Sequence, residues 1–212
     1  MKANRLQIKI CGITNLEDAK ACVELGADMI GLNFYPQSPR YIEPEIARQI
    51  VERIPRSARA VGVFVDASTD EICNTAKRAG IESVQLHGDF SPDTCRELAG
   101  KFRVIRAFST DGRFQPKDAG SFPDCDVLLD AYHAELRGGT GLTCDWSAAR
   151  ATLPFARFLI LSGGLNGQNV AHAIAAVAPH AVDVCSGVES APGVKDYRTI
   201  EKFIAAVRTA EC

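Results

Sequence analysis

The sequence predicts a single-domain α/β chain closed into a (β/α)8 barrel, the TIM barrel architecture. Three observations predict it. Short apolar strand patterns alternate with amphipathic helix patterns eight times along the 212 residues. No composition shift or linker divides residues 1–212 into smaller units. The residue closing almost every strand pattern is polar or reactive, as expected where eight strand ends meet at one face. The rival is an open doubly wound sheet, whose G-x-G-x-x-G fingerprint belongs after the first strand; CGITN stands there instead.

The elements follow in order. Leu6–Thr14 opens as a strand, with Ile8 and Ile10 alternating with Gln7 and Lys9. Cys11 comes where that strand ends, and Gly12 lets the chain turn. Thr14 to Glu17 has the spacing of a capping box, so a helix is expected there, with Leu16, Ala19 and Val23 inward and Gly26 as its stop. Ala27–Phe34 is a continuous apolar run suited to a strand buried on both faces. Tyr35–Tyr41 is a loop. Pro44 then opens a helix with Ile46, Ile50 and Ile54 on one side. Ala60–Val65 is a strand, and Ser68 with Glu71 forms a second capping box. Ser83–Leu86 is a short strand leading into His87, and Ser91-Pro92 caps a helix that buries Cys95, Leu98 and Ala99.

The second half has the same rhythm. Val104–Phe108 is a strand, with a weak helix signal in Gln115–Ser121. Asp126–Asp130 is a strand ending on a carboxylate. The glycine-rich loop Arg137–Gly141 and a short helix from Asp145 come next. Phe158–Leu161 is the seventh strand and runs into Ser162-Gly163-Gly164. Val170, Ala173, Ile174 and Val177 mark a helix. Ala181–Cys185 is the eighth strand, and Ile200, Phe203, Ile204 and Val207 mark the last helix. The strand ends expected at one mouth are Cys11, Asn33, Asp66, His87, Arg106, Asp130, Ser162 and Ser186.

Composition narrows the functional classes. The net charge of −2 gives no reason to expect nucleic acid or an anionic membrane as partner. No apolar run has the length of a membrane span. MKANRLQIKI runs straight into a strand pattern without the apolar centre of a secretion signal, so a cytoplasmic location is expected. The eight cysteines include no C-x-x-C pair and no His at zinc-ligand spacing. They are expected as reduced thiols, mostly packing, with no metal site.

Several residues carry candidate chemistry. A thiol at a strand-to-helix corner is either a small buried hydrophobe or a group aimed into a cleft, and Cys11 is open to both readings. Bare backbone at Gly163-Gly164 and Ser186-Gly187, after the last two strands, suits a phosphate; two ordinary tight turns is the other reading. Asp130 leaves an apolar strand at the mouth, where a raised pKa would let it donate a proton, or else it caps a loop. Cys11 and Asp130 can then flank a small ligand as base and acid. Arg40, between Pro39 and Tyr41, can fork onto a substrate carboxylate or lie solvated on the surface. His87 can hydrogen-bond ligand or serve structure. Asp183 can hold a sugar hydroxyl or fix its neighbours. Lys9 is expected on the opposite side of the strand from the thiol and is given no role.

Taken together the motifs resemble the phosphoribosylanthranilate isomerase family of tryptophan biosynthesis. The resemblance rests on KICGIT (9–14), GADMIGLNFYPQSPRYI (26–42), VGVFV (61–65), VQLHG (84–88), LLDA (128–131), GGTG (138–141), DWS (145–147), LSGGLN (161–166) and VDVCSGVES with PG (182–193). It implies an Amadori rearrangement of N-(5-phosphoribosyl)anthranilate, with no cofactor and no metal. It places the general base on Cys11, the general acid on Asp130, the anthranilate carboxylate on Arg40 and the phosphate on Gly163, Gly164, Ser186 and Gly187. The expected partner is a small phosphosugar, with the chain as a monomer or weak homodimer.

The chain departs from the family pattern in two places. Leu142 and Cys144 replace a polar residue and a phenylalanine after GGTG, and Cys185 stands where the family usually carries serine. Neither change is expected to touch the acid or the base. Two rivals remain: another phosphosugar isomerase on the same barrel, against which the thiol at the first strand's end argues, and a phosphate-ligand module without catalysis.

Overall fold

The computed structural model describes residues 5–110, 114–130 and 146–211. Eight strands close into one parallel barrel: β1 Gln7–Ile10, β2 Met29–Asn33, β3 Arg59–Val65, β4 Ser83–His87, β5 Arg103–Ser109, β6 Asp126–Asp130, β7 Leu159–Ser162 and β8 Ala181–Val184. Each pairs with the next, and β8 returns to β1 in the register Ile8↔Val182 and Ile10↔Val184. Helices α1 Leu16–Leu25, α2 Pro44–Val51, α3 Thr69–Ala79, α4 Pro92–Ala99, α5 Ser147–Thr152, α6 Val170–Val177 and α7 Tyr197–Ala210 surround it. The β5–β6 connection is a 3-10 helix, Pro116–Ser121. After β8 the chain forms a 3-10 turn, Ser186–Val188, and a hairpin of β9 Glu189–Ala191 and β10 Val194–Lys195, before α7.

The period of two along each strand builds two separate cores. Outward residues such as Ile8, Ile10, Leu86, Leu161 and Val182 pack against Ile50, Ile72, Leu98, Val170 and Phe203 of the helices. Inward residues Met29, Val61, Ile105, Ala107, Leu128, Ile160 and Ala181 fill the barrel as a second cluster. Two residues further toward the strand C-termini the interior turns polar: Asp130 follows Leu128, Ser162 follows Ile160, and Asp183 follows Ala181. That change of polarity marks the floor of the mouth. At the other end Asp126, 1% exposed, accepts from Arg103 (2.6 Å) and Arg157 (3.2 Å).

Local chemistry explains most boundaries. Ser68 and Glu71 make the reciprocal capping box expected of them, and Ser91 caps α4. The first helix begins one residue later than the Thr14 spacing implies. Asn15 is its cap, accepting from Asp18 N, and the Thr14 hydroxyl donates to Gly193 O at 2.8 Å. In α2 the buried side is Pro44, Ala47 and Ile50, whereas Ile46 is 44% exposed. Residues four apart drift around a helix of 3.6 residues per turn, so Ile46, Ile50 and Ile54 do not stay on one line. The loop Arg137–Gly141, Leu142, Cys144 and the helix start at Asp145 lie outside the described residues.

Candidate active site at the barrel mouth

Lys9 and Cys11 are two residues apart at the end of β1, so both project into the barrel. Gly31 on β2 shows it directly: a Cβ there would lie 2.6 Å from Cys11 Sγ and 3.1 Å from Lys9 Nζ. The expectation that Lys9 faces away from the thiol is therefore corrected, because alternation separates neighbours and reunites residues two apart. Lys9 is fully buried. Its ammonium donates to Asp183 Oδ1 at 2.9 Å, and Asp183 Oδ2 accepts from Ser162 Oγ at 3.1 Å. One carboxylate thus joins β1, β7 and β8. Burial works to lower the pKa of Lys9, but the charges of Asp183 and Cys11 outweigh it and hold the ammonium protonated.

Cys11 itself is an acidic thiol, held down at about 6. The neighbouring Cys185 thiol is the largest cause, burial opposes it, and the Lys9 charge adds to the lowering. Cys185 is pushed up correspondingly, first by Cys11 and then by burial. The expectation that the Cys185 departure stays clear of the base is corrected here. β8 runs beside β1, and the residue after Val184 stands beside the residue after Ile10.

A buried charge cluster closes this side of the mouth. Arg40 grips Glu189 with Nε (2.9 and 3.1 Å) and Nη2 (2.6 Å). Lys195 donates to Glu189 Oε1 at 2.8 Å and to the Cys11 carbonyl at 2.6 Å. The carboxyl of Glu189 sits at about 2: burial favours its neutral form, but the hydrogen bonds from Arg40 and Lys195 prevail. Asn33 orders the Arg40 loop, accepting from Tyr35 N at 2.9 Å and donating to Ser38 Oγ at 3.1 Å; Ser38 Oγ in turn accepts from Arg40 N. Arg40 is thus not a free surface residue. Glu189 takes its Nε–Nη2 edge and leaves the Nη1–Nη2 edge as a second fork.

The remaining candidates complete the ring. His87 ends β4 beside the Gln85 amide, and burial first, then the Lys9 charge, lowers its pKa to about 4, so its imidazole is neutral at pH 7. Asp130 is half-buried at the end of β6, its carbonyl accepting from Thr110 N at 3.1 Å. β7 and β8 separate it from β1 around the ring. Gly163 and Gly164 have φ of +99° and +64°, a conformation glycine adopts without strain. Gly187 is required by close approach, since a Cβ there would meet Leu165 O at 2.0 Å. The turns after β7 and β8 therefore lie against one another, with Gly164 and Ser186 exposed.

Two expected mouth residues serve other ends. Arg106 lies outside the barrel wall, stacked over Phe108 at 4.6 Å and donating to Gly88 O at 2.7 Å. It sits inside β5, one residue out of phase with the inward-facing Ile105 and Ala107. Asp66, at φ +48°, accepts from Asp89 N at 3.1 Å and so holds the turn after β4. Conversely, Lys9, Glu189 and Lys195 are functional neighbours that sequence reasoning passed over. Lys9 was legible from its spacing to Cys11. The ion pairs of Glu189 and Lys195 depend on a hairpin folding back, which no local pattern announces. Among the described residues no cluster of three or more His, Cys, Asp and Glu side chains is arranged to hold a metal ion, and no helix is long and apolar enough to cross a membrane.

Comparison with known proteins bears on this arrangement. A family model described as N-(5'-phosphoribosyl)anthranilate (PRA) isomerase matches residues 8–206. N-(5'-phosphoribosyl)anthranilate isomerase of Geobacter sp. (strain M21) is 46% identical over 205 residues, covering 95% of this chain and 98% of that one. The crystal structure of phosphoribosyl anthranilate isomerase from Thermotoga maritima superposes with a TM-score of 0.87 at 43% identity, over 96% of this chain and 99% of that one. Another, at 42% identity, TM-score 0.85 and coverage of 96% and 99%, holds reduced 1-(o-carboxyphenylamino)-1-deoxyribulose 5-phosphate. With its closed barrel, its ordered motifs and these matches along nearly its whole length, the chain belongs to the phosphoribosylanthranilate isomerase family.

Proposed function

We propose that this protein isomerises N-(5-phosphoribosyl)anthranilate to 1-(2-carboxyphenylamino)-1-deoxyribulose 5-phosphate, with Cys11 as general base and Asp130 as general acid. Family membership supports the reaction. The observation that carries the division of labour is Cys11, acidic at about 6 and seated over the Lys9 ammonium. A thiol in that state is largely thiolate at pH 7, ready to accept a proton.

The steps follow from the chemistry of the substrate. Asp130 gives its proton to the furanose ring oxygen, and the ring opens to a Schiff base. The Cys11 thiolate takes the C2 proton, leaving an enolamine that becomes the ketone. Lys9 compensates the thiolate charge before transfer, and Asp183 and Ser162 keep Lys9 beneath it. The second fork of Arg40 faces the anthranilate carboxylate, Gly163, Gly164, Ser186 and Gly187 take the phosphate, and His87 offers a neutral hydrogen bond. The chain is proposed to act in the cytoplasm as one domain, a monomer or weak homodimer.

The test is incubation with freshly prepared phosphoribosylanthranilate and analysis of the product. Formation of the aminodeoxyribulose phosphate by the wild type, with its loss in a folded Cys11→Ser variant, is the expected result. Thermal protection by phosphosugar without product would mark a binding module instead.

A further inference from the structure

We propose that Cys11 and Cys185 form an oxidation-sensitive dithiol at the barrel mouth, which hydroperoxides convert to a disulfide. As a consequence for turnover this rests on Cys11 being the base; as a modification site it stands on geometry alone.

The two residues continue paired strands. Ile10 registers with Val184, and Cys11 N donates to Val184 O at 2.8 Å. Neighbouring strands lie about 4.8 Å apart, within the Cα window of about 4.4–6.8 Å that a disulfide spans. The side chains converge as well. A Cβ on Gly12, the residue after Cys11, would lie 3.0 Å from Cys185 Sγ. Lys195 Nζ holds the two backbones side by side, donating to the carbonyls of Cys11 (2.6 Å) and Cys185 (3.5 Å).

Reactivity and access point the same way. Cys11 is the more acidic partner, and both residues are half-buried at the mouth. The Cys11 thiolate attacks the distal peroxide oxygen. The O–O bond breaks, hydroxide or alkoxide leaves and takes up a proton, and Cys11 becomes a sulfenic acid. Cys185 then attacks that sulfur, the S–O bond breaks, and water leaves carrying the Cys185 proton. Two thiols are oxidised by two electrons and one peroxide is reduced by two. Cys95 and Cys125 provide an internal contrast: each shifts the other's acidity, but each is only 1% exposed, in the core under α4.

The experiment treats the whole protein with hydrogen peroxide, blocks free thiols, and maps peptides while following turnover. The expected map links Cys11 to Cys185 and leaves Cys95 and Cys125 as thiols. Turnover should fall in proportion to that link and return with dithiothreitol. In Cys185→Ser, each sample being scaled to its own untreated rate, no link to Cys11 forms. Prolonged peroxide then carries Cys11 to a sulfinic acid, whose loss dithiothreitol does not restore. Oxidation that leaves Cys11 and Cys185 unlinked, or wild type and variant losing activity equally irreversibly, would overturn the proposal. Lack of turnover in untreated protein strikes the proposed function instead, and the peptide map still decides the dithiol.

Discussion

At the residue scale the decisive quantity is the acidity of one thiol. Cys11→Ser keeps shape and hydrogen bonding but removes an acidic proton acceptor, so turnover should fall roughly 10²-fold or more with the fold intact. Cys22→Ser offers the contrast, because burial holds that thiol up at about 12 in the helix layer and its loss should spare turnover. The acidic limb of the kcat/KM profile should lie near pH 6, where Cys11 gains its proton. Lys9→Met removes a charge that favours the thiolate, so the ultraviolet titration of Cys11 should move to higher pH; an unmoved titration would remove Lys9 from the account. Arg40→Ala should weaken substrate binding while sparing inorganic phosphate. Arg40→Lys should recover only part, since an ammonium cannot grip Glu189 and a ligand carboxylate with two edges of one plane. Equal losses for substrate and phosphate would give Arg40 a different task.

At the element scale the turns and helices carry their own consequences. Gly164 at φ +64° should not accept a β-branched side chain, and Gly164→Val should abolish protection by inorganic phosphate, measured as its shift in Tm. Phosphate protection equal to wild type would place the anion elsewhere. Phe203, fully buried on α7, should cost about 3–5 kcal/mol on Phe203→Ala, read by denaturant unfolding. These elements were also the most legible part of the sequence. Strand and helix order followed from apolar period, and the Ser68–Glu71 cap from its spacing, because each depends on residues within one turn of chain. The Thr14 cap missed by one residue because Gly193, far along the chain, takes that hydroxyl. Arg106 was misplaced because a strand pattern does not tell which neighbouring residue faces inward. The charge cluster of Arg40, Glu189 and Lys195 is assembled across the fold, and only its members, not their partners, stand in the sequence.

At the scale of the whole molecule the buried charges set a pH profile for stability. His87 titrates at about 4 in the folded chain against an ordinary 6.5, so unfolding gains protons in that interval and stability falls as pH drops through it. Glu189, at about 2 against 4.5, contributes stability that is complete above 4.5 and is lost as pH falls toward 2. Below pH 6, under the window in which Cys11 titrates, Tm should therefore decline in two stages on acidification. His87→Gln should flatten the upper one, and an unchanged upper stage would exclude His87 as its source. The closure of β8 on β1 has a further consequence, for the life of the chain as it is made. Lys9 and Asp183 lie 174 residues apart in sequence, and Cys185 comes later still. A growing polypeptide that has not yet delivered β8 carries Cys11 as an ordinary thiol, sluggish toward oxidants and electrophiles. Alkylation of Cys11 should accordingly have its pH midpoint near 6 in native protein and at the value of a free cysteine in urea. The Cys11 sulfur thus acquires its reactivity last, when the ring shuts.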